Sequence, residues 1–175
     1  MALAGRARRL WNQLVARRYA RDHQLVREWA VSGDIETLRP MPLAEARKPL
    51  ADGRLALVTT AGVHLRSQAP FDMFDTDGDA TVRRVPADAA QADVAITHDY
   101  YDHREADHDL NVVLPFDRAR ELVDAGAVGS LSRTARSLMG HIDGRHVATL
   151  MEVTAPEIAS ELVEEEVDFA LLTPA

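Results

Sequence analysis

Residues 54–65 read RLALVTTAGVHL, and the fold that the sequence predicts follows from this stretch. Residues 55–59 form a short apolar run without alternation, which is typical of a strand covered on both faces. The run passes directly into polar residues: Thr60 offers a hydroxyl, Gly62 lets a backbone approach a ligand, and His64 can donate or accept a proton. The sequence therefore predicts a buried strand that ends in a candidate binding loop.

Three later segments also have strand-like patterns. TVRRV (residues 81–85) suits an edge strand, and the apolar part of DVAITHD (residues 94–97) suits a buried one. VDFALLTPA (residues 167–175) is an apolar run followed at once by Thr and Pro, as in a buried strand whose exit loop has begun.

Two helices with clear ends separate these strands. PFDRARELVDAG (residues 115–126) begins with proline, places Phe116 and Leu122 on one face, and ends at Gly126, a plausible C-terminal stop. TAPEIASELVEEE (residues 154–166) begins with Thr154 and Glu157, the spacing of a capping box.

We therefore predict the α/β class: an open, Rossmann-like parallel sheet with flanking helices, preceded by an N-terminal helical segment and incomplete at its C-terminus. The predicted organisation is a helical segment at 1–35, a connector at 36–53 and an α/β domain at 54–175. Because ligands bind beyond the carboxyl ends of strands in such sheets, the segments after the first, third and last predicted strands should meet at one rim.

The N-terminal segment, residues 3–30, places Leu10, Trp11 and Leu14 at helical spacing with arginines between them. It is predicted to form one or two amphipathic helices. Such a helix can dock on a membrane surface or a partner, and it can equally pack on its own domain.

Composition excludes several functions. The chain has no cysteine, so it offers no disulfide, thiolate metal site or cysteine nucleophile. Its net charge of -8 argues against nucleic acid as the main ligand. No apolar run is long enough to span a bilayer and arginines interrupt the N-terminus where a signal peptide is apolar, so the sequence favours the cytoplasm.

The densest polar cluster is HDYYDHREADHDLN, residues 98–111. Imidazole and carboxylate groups are ligands for transition metals, but the nearest known metal pattern requires a histidine where Tyr100 stands. Its position after a buried strand favours function for His98, Tyr101 and Asp102. A second glycine beside a histidine, Gly140, lies in SLMGHIDG.

Four segments, taken in order, resemble the selenoprotein B family of the glycine, sarcosine, betaine and D-proline reductases. They are LALVTTAGVHLRSQAPFD, ITHDYYDHREADHDLNVVLPFDRARELVDAGAVGSL, SLMGHI and EVDFALLTPA, which cover about residues 54–175. The resemblance implies an oxidoreductase subunit that cleaves a carbon–nitrogen bond in an amino acid or amine. It also implies a selenolate nucleophile, reduction by thiols, other reductase subunits as partners, and a pyruvoyl group on one of them.

The resemblance also implies where the site lies. The residues that match the family's motifs are Thr60, Gly62, His64, His98, Tyr101, Asp102, Asp109, Asn111 and Gly140. We predict that His98 and Asp102 supply the proton that a leaving amine needs, and that Asn111 orients the substrate. In similar proteins the strand that matches VDFALLTPA leads almost at once to selenocysteine, so codon 176 is expected to be UGA and this chain to be a truncated, inactive form.

Two alternatives of other classes stay open. One is a metal-dependent hydrolase that uses His98, Asp102 and His103. The other is a small-molecule binding module without catalytic activity, built on the same rim.

Overall fold

A computed structural model of the chain describes residues 2–32 and 44–175. Its helices are α1 (Ala2–Tyr19), α2 (His23–Ser32), α3 (Arg104–His108), α4 (Phe116–Asp124), α5 (Arg145–Thr149) and α6 (Ala155–Glu164). Its strands are β1 (Arg54–Thr59), β2 (Val63–Leu65), β3 (Arg83–Pro86), β4 (Val94–Ile96), β5 (Ser130–Leu131), β6 (Thr134–Ser137) and β7 (Phe169–Thr173).

The main sheet is built around β1. Along one edge β1 pairs in parallel with β7 from Leu55 to Thr59. Its other edge pairs in parallel first with β5, at Arg54, and then with β6, at Val58. β3 adds an antiparallel edge strand next to β6, which confirms the edge strand predicted near residues 81–85. The α/β class and the mostly parallel sheet are therefore confirmed.

Burial of β1 explains why its sequence does not alternate. Ala56 and Leu57 are both buried, and the core cluster around them includes Leu55 and residues from α4. α4 follows Pro115 as predicted, and Gly126, at φ 71°, follows its last turn. One detail of the predicted apolar face was wrong, since Leu122 lies exposed.

The strand at 94–96 was predicted to join the parallel sheet, and this prediction was wrong. β4 instead pairs antiparallel with β2 in a separate two-stranded sheet, with Val63 opposite Ile96. The cause is the turn at Gly62: its φ of 70° redirects the chain after β1, and its carbonyl accepts a hydrogen bond from the Thr97 amide at 2.9 Å.

Two predictions about the C-terminal third were also wrong. β7 is a strand, but it is not buried: Leu172 is 68% exposed, and among the described residues β7 pairs with β1 alone. Thr154 does not cap a helix. It has helical dihedrals inside a continuous run from Arg145 to Glu164, which includes a π-helical turn, and its hydroxyl donates to the Ala80 carbonyl at 2.7 Å.

The N-terminal segment forms two helices, as predicted, and α1 contacts the α/β domain through polar side chains. Leu10 and Trp11 of α1 are 63% and 66% exposed, whereas Arg9 and Gln13 bond to Asp99 of the α/β domain. The predicted boundary between this segment and the connector lies outside the described residues. Within residues 2–32 and 44–175, no helix is both long and apolar enough to cross a membrane.

A buried arginine fixes α6 against the sheet. Arg136 of β6 has a side chain only 1% exposed, and it pairs with Glu165 at 2.7 Å and Glu161 at 3.2 Å. Arg136 also donates to the Ser132 hydroxyl, and Arg84 of β3 bonds Glu161 from the neighbouring strand. The helix is thereby held by charges on two strands at once.

Replacing Arg136 by Met should lower the free energy of unfolding by about 3 kcal/mol or more, because Glu165 and Glu161 lose a partner in a partly buried place. Urea unfolding followed by circular dichroism measures the difference. Arg133→Met, at an exposed position on the same segment, is the matched control and should change stability by less than about 0.5 kcal/mol. Equal stability of the two variants would contradict the role given to Arg136.

Candidate functional site

The site lies at the carboxyl ends of β1 and β7, where four chain segments meet. The Thr60 amide donates to the Thr173 carbonyl at 3.2 Å, and the Thr60 hydroxyl accepts from the Ala175 amide at 3.1 Å. Gly62 bonds the Leu138 carbonyl through its amide at 2.9 Å. We call this place the rim and define it by Thr60, Gly62, His98, Gly140 and Ala175. The predicted convergence of the segments is therefore present, although β4 reaches it from the small sheet.

Two glycines allow the backbones to come this close. A Cβ at Gly62 would lie 2.5 Å from the Thr97 carbonyl oxygen, and one at Gly140 would lie 2.7 Å from that of Ala175. The same Cβ at Gly140 would lie 3.1 Å from His98 Nε2. Any larger residue at either position would push the rim segments apart.

His98 is the buried centre of the rim, with 3% of its surface exposed. The Gly140 amide points at Nε2 from 3.0 Å, and the Tyr100 amide points at Nδ1 from 3.2 Å. A neutral imidazole has one nitrogen that can accept, so one of these two contacts can be a hydrogen bond at any moment. Burial lowers the pKa of His98 to about 4, and two N–H groups facing the ring also disfavour the imidazolium. His98 is therefore neutral near pH 7.

Tyr101 links the rim to the loop that follows. Its ring meets that of His98 edge-on, with centroids 4.8 Å apart, and its hydroxyl donates to the Ala61 carbonyl at 3.1 Å. Burial raises the pKa of Tyr101 well above its usual value, so the hydroxyl keeps its proton. Tyr101 can therefore act as a fixed wall and donor but not as a base.

Asp102 is engaged in a forked ion pair. Arg104 Nε lies 2.8 and 3.1 Å from the two carboxylate oxygens of Asp102, and an Arg104 terminal nitrogen approaches one of them as well. These hydrogen bonds lower the pKa of Asp102 to about 2. At neutral pH neither Asp102 nor His98 carries a proton that it can give to a leaving amine.

Three of the predicted site residues lie apart from the rim contacts. His64 is buried: one ring nitrogen bonds the Leu65 carbonyl and the other the Thr97 hydroxyl, both at 2.8 Å. Asp109 accepts from the Asn111 amide and so caps the turn that follows it. Asn111 accepts from the Asp117 amide at 2.9 Å, which places it at the start of α4. These side chains stabilise local structure.

Sequence reasoning missed two features of this region. Tyr100 stacks on His141, with ring centroids 4.0 Å apart. Asp99, only 2% exposed, accepts from Arg9 at 2.5 Å and from Gln13 at 2.8 Å, which ties α1 to the residue next to His98. The excess of arginine near the N-terminus and of acidic residues elsewhere could have indicated an ion pair between α1 and the domain. It could not have identified Asp99 as the partner of Arg9.

A cavity of about 160 Å³ lies between α1 and the loop that follows His98. Its lining residues are Gln13, Arg17, Tyr101, Asp102, His103, Arg104 and Asp107. Tyr101 thus borders both the rim and this cavity.

The three residues that the hydrolase alternative requires as metal ligands each contact a different residue and do not converge on one point. His98 faces Gly140, Asp102 pairs with Arg104, and His103 lies 2.8 Å from Asp107. Across residues 2–32 and 44–175, no group of three or more His, Asp or Glu side chains is arranged to hold a metal ion.

Comparison with known proteins identifies a family and a similar protein. The model of the family described as glycine/sarcosine/betaine reductase selenoprotein B matches residues 26–175. The chain is also 37% identical over 126 residues to the D-proline reductase subunit gamma of Acetoanaerobium sticklandii. That match covers 72% of this chain and 50% of the relative, so the chain spans about half the length of the curated relative. No solved structure matches the chain.

The family match begins earlier than the resemblance read from the sequence. It starts at residue 26, inside α2, rather than near residue 54. Helix α1 (Ala2–Tyr19) lies before the matched segment.

The neutral state of His98 predicts how stability depends on pH. The pKa of His98 is about 4 in the folded chain and about 6.5 as an unperturbed side chain, so the unfolded chain binds the proton more readily between these values. The free energy of unfolding should fall by roughly 3 kcal/mol as the pH falls from 6.5 to 4. Urea unfolding at several pH values and NMR titration of the ring measure this.

His98→Asn is the matched control, because it removes the titrating ring. The variant should lose this part of the pH dependence. An NMR titration of His98 that centres near pH 6.5 would contradict the prediction.

Proposed function

This chain belongs to the glycine/sarcosine/betaine reductase selenoprotein B family, and we propose that it forms part of a reductase subunit that cleaves a carbon–nitrogen bond of an amino acid or amine. The observation that carries the proposal is the family match over residues 26–175, which includes every segment that meets at the rim. The similarity to the D-proline reductase subunit gamma supports the same reaction type.

The nucleophile is proposed to be a selenocysteine outside these 175 residues. The family is described as a selenoprotein family, and the chain itself has no cysteine. A selenolate, when present, supplies a strong nucleophile for displacing the nitrogen, and thiols supply the electrons. A Cβ at Gly140 would lie 2.7 Å from the Ala175 carbonyl oxygen, so the chain that leaves β7 runs directly against the rim.

The rim is proposed to place the reacting carbon, with His98 fixing its geometry. A neutral His98 holds the Gly140 amide at 3.0 Å and thereby sets the position of the backbone on one side of the site. The backbone at Gly62 and the hydroxyl of Thr60 form the other side. Displacement reactions depend strongly on such placement, since a shift of about 1 Å can lower the rate about 100-fold.

We keep Asp102 and His98 as the proposed catalytic residues. Their proposed role is no longer to donate a proton to the leaving amine. Near pH 7 Asp102 is ionised, and we propose that it orients a cationic amine. Neutral His98 has both ring nitrogens facing backbone amides and is proposed to position Gly140. The proton for the leaving nitrogen then comes from the substrate ammonium or from water. Asn111, His64 and Asp109 have no part in this proposal, because their polar groups bond elsewhere in the domain.

The partners are part of the same proposal. The relative is named as one subunit of its reductase, and we propose that this chain also works with other subunits. A pyruvoyl group that holds the substrate nitrogen would lie on one of them, and no described residue of this chain is assigned to bind it.

The proposal predicts selenium and thiol-dependent cleavage in the native assembly. The full-length protein, purified with its partners from cells that encode it, should contain about one selenium per chain by mass spectrometry. With dithiothreitol it should release ammonia or an amine from glycine, sarcosine or betaine, or open the ring of D-proline, for at least one of these substrates. Substrate binding without cleavage would favour the binding-module alternative. The absence of both substrate binding and selenium would overturn the proposal.

His98→Asn should lower kcat/KM for the substrate so identified by about 100-fold, because the rim loses the group that positions Gly140. His108→Asn, an exposed residue at the end of α3, is the matched control and should keep full activity. Equal activity of the two variants would remove His98 from the mechanism.

A further inference from the structure

Helix α1 is held next to the rim by charge. Asp99 follows His98 directly in sequence, and its buried carboxylate accepts from the side chains of Arg9 and Gln13. An unpaired buried carboxylate would be strongly unfavourable, so these bonds keep α1 in a defined place. Since α1 lies before the segment that matches the family, whatever it adds to the site is additional to the matched residues.

What α1 adds is one wall of the cavity. Gln13 and Arg17 line it from α1, residues 101–103 line it from the loop after His98, and Arg104 and Asp107 line it from α3. Its volume of about 160 Å³ is close to that of an engineered cavity of about 150 Å³ that holds benzene. The space therefore suits an organic ligand of roughly six to eight non-hydrogen atoms.

The charges around the cavity are balanced. Two arginines, Arg17 and Arg104, face two carboxylates, Asp102 and Asp107. Arg104 is already engaged by Asp102, and Asp107 lies 2.8 Å from His103. Arg17 takes part in none of the ion pairs found within residues 2–32 and 44–175. Such a site suits a small ligand that carries both charges.

Arg17 is the group that can take the negative end. A guanidinium presents a planar fork that matches a carboxylate with two parallel hydrogen bonds. Asp107, whose contact is the imidazole of His103, offers negative charge to the positive end. Tyr101 separates the cavity from His98 by a single ring, so a ligand here would lie beside the rim.

We propose that the cavity between α1 and residues 101–107 binds a small zwitterion, and that Arg17 of α1 recognises its carboxylate. This inference rests on the proposed function in that the zwitterion is taken to be the substrate, held beside the rim before its reacting carbon enters the rim. It adds a specificity-determining residue from a helix outside the family match.

Calorimetric titration tests the proposal with the full-length protein, purified without thiol so that no turnover consumes the ligand. Glycine, betaine and D-proline are the probes. For those that bind, Arg17→Gln should weaken affinity about 10-fold to 100-fold, the effect of losing a charge-assisted contact. Arg18→Gln, which removes the same charge from the next, exposed position of α1, should change affinity less than about twofold.

The amide or ester of the same probe, which lacks the carboxylate, separates recognition from general charge effects. Its affinity should be weak and equal for the unaltered protein and for Arg17→Gln. Equal affinity of the two proteins for the zwitterion, an equal loss in Arg17→Gln and Arg18→Gln, or no saturable binding of any probe would overturn the proposal.

The outcome is distinguishable from that of the proposed function. Binding that depends on Arg17 without thiol-dependent cleavage would retain the cavity assignment and reject the reductase. Cleavage at the same rate in the unaltered protein and in Arg17→Gln would retain the reductase and reject the cavity assignment.

Discussion

The pairing of β1 along both of its edges constrains the rest of the structure. β7 runs beside it from Leu55 to Thr59, and β5 and β6 occupy the other edge in succession. A strand fixed in register on both edges cannot slip without turning its buried side chains to the wrong face. Its carboxyl end therefore has one position, and the rim forms around it.

Ion pairs hold α6 and α1 in place in this protein, where apolar packing often holds helices in other proteins. Arg136 fastens α6 to the sheet from a fully buried position, and Arg9 fastens α1 to Asp99. In α1 the consequence is unusual, since its polar side faces the domain while Leu10 and Trp11 stay exposed. The bonds of Arg9 and Gln13 to Asp99 hold α1 in the position in which Arg17 lines the cavity.

Much of the fold was predictable because its signals are local. The apolar run in β1, Pro115 before α4 and Gly126 after it each act within a few residues, and all three predictions were confirmed. Thr154 shows where local rules fail: its spacing to Glu157 is that of a capping box, but its hydroxyl bonds Ala80, seventy-four residues away. The pairing of β4 failed for a similar reason, since the backbone turn at Gly62 selects its partner.

By itself, the sequence determined the α/β class, the family and the segments that meet at the rim, because each depends on short-range pattern or on motifs in fixed order. It did not indicate β2, β5 or β6. Only the tertiary structure decided which of the candidate side chains face that rim and in what state. His64 turns inward, Asn111 caps α4, Arg104 occupies Asp102, and burial keeps His98 neutral. Protonation and hydrogen bonding depend on burial and on partners up to ninety residues away in the chain, and no local pattern encodes them.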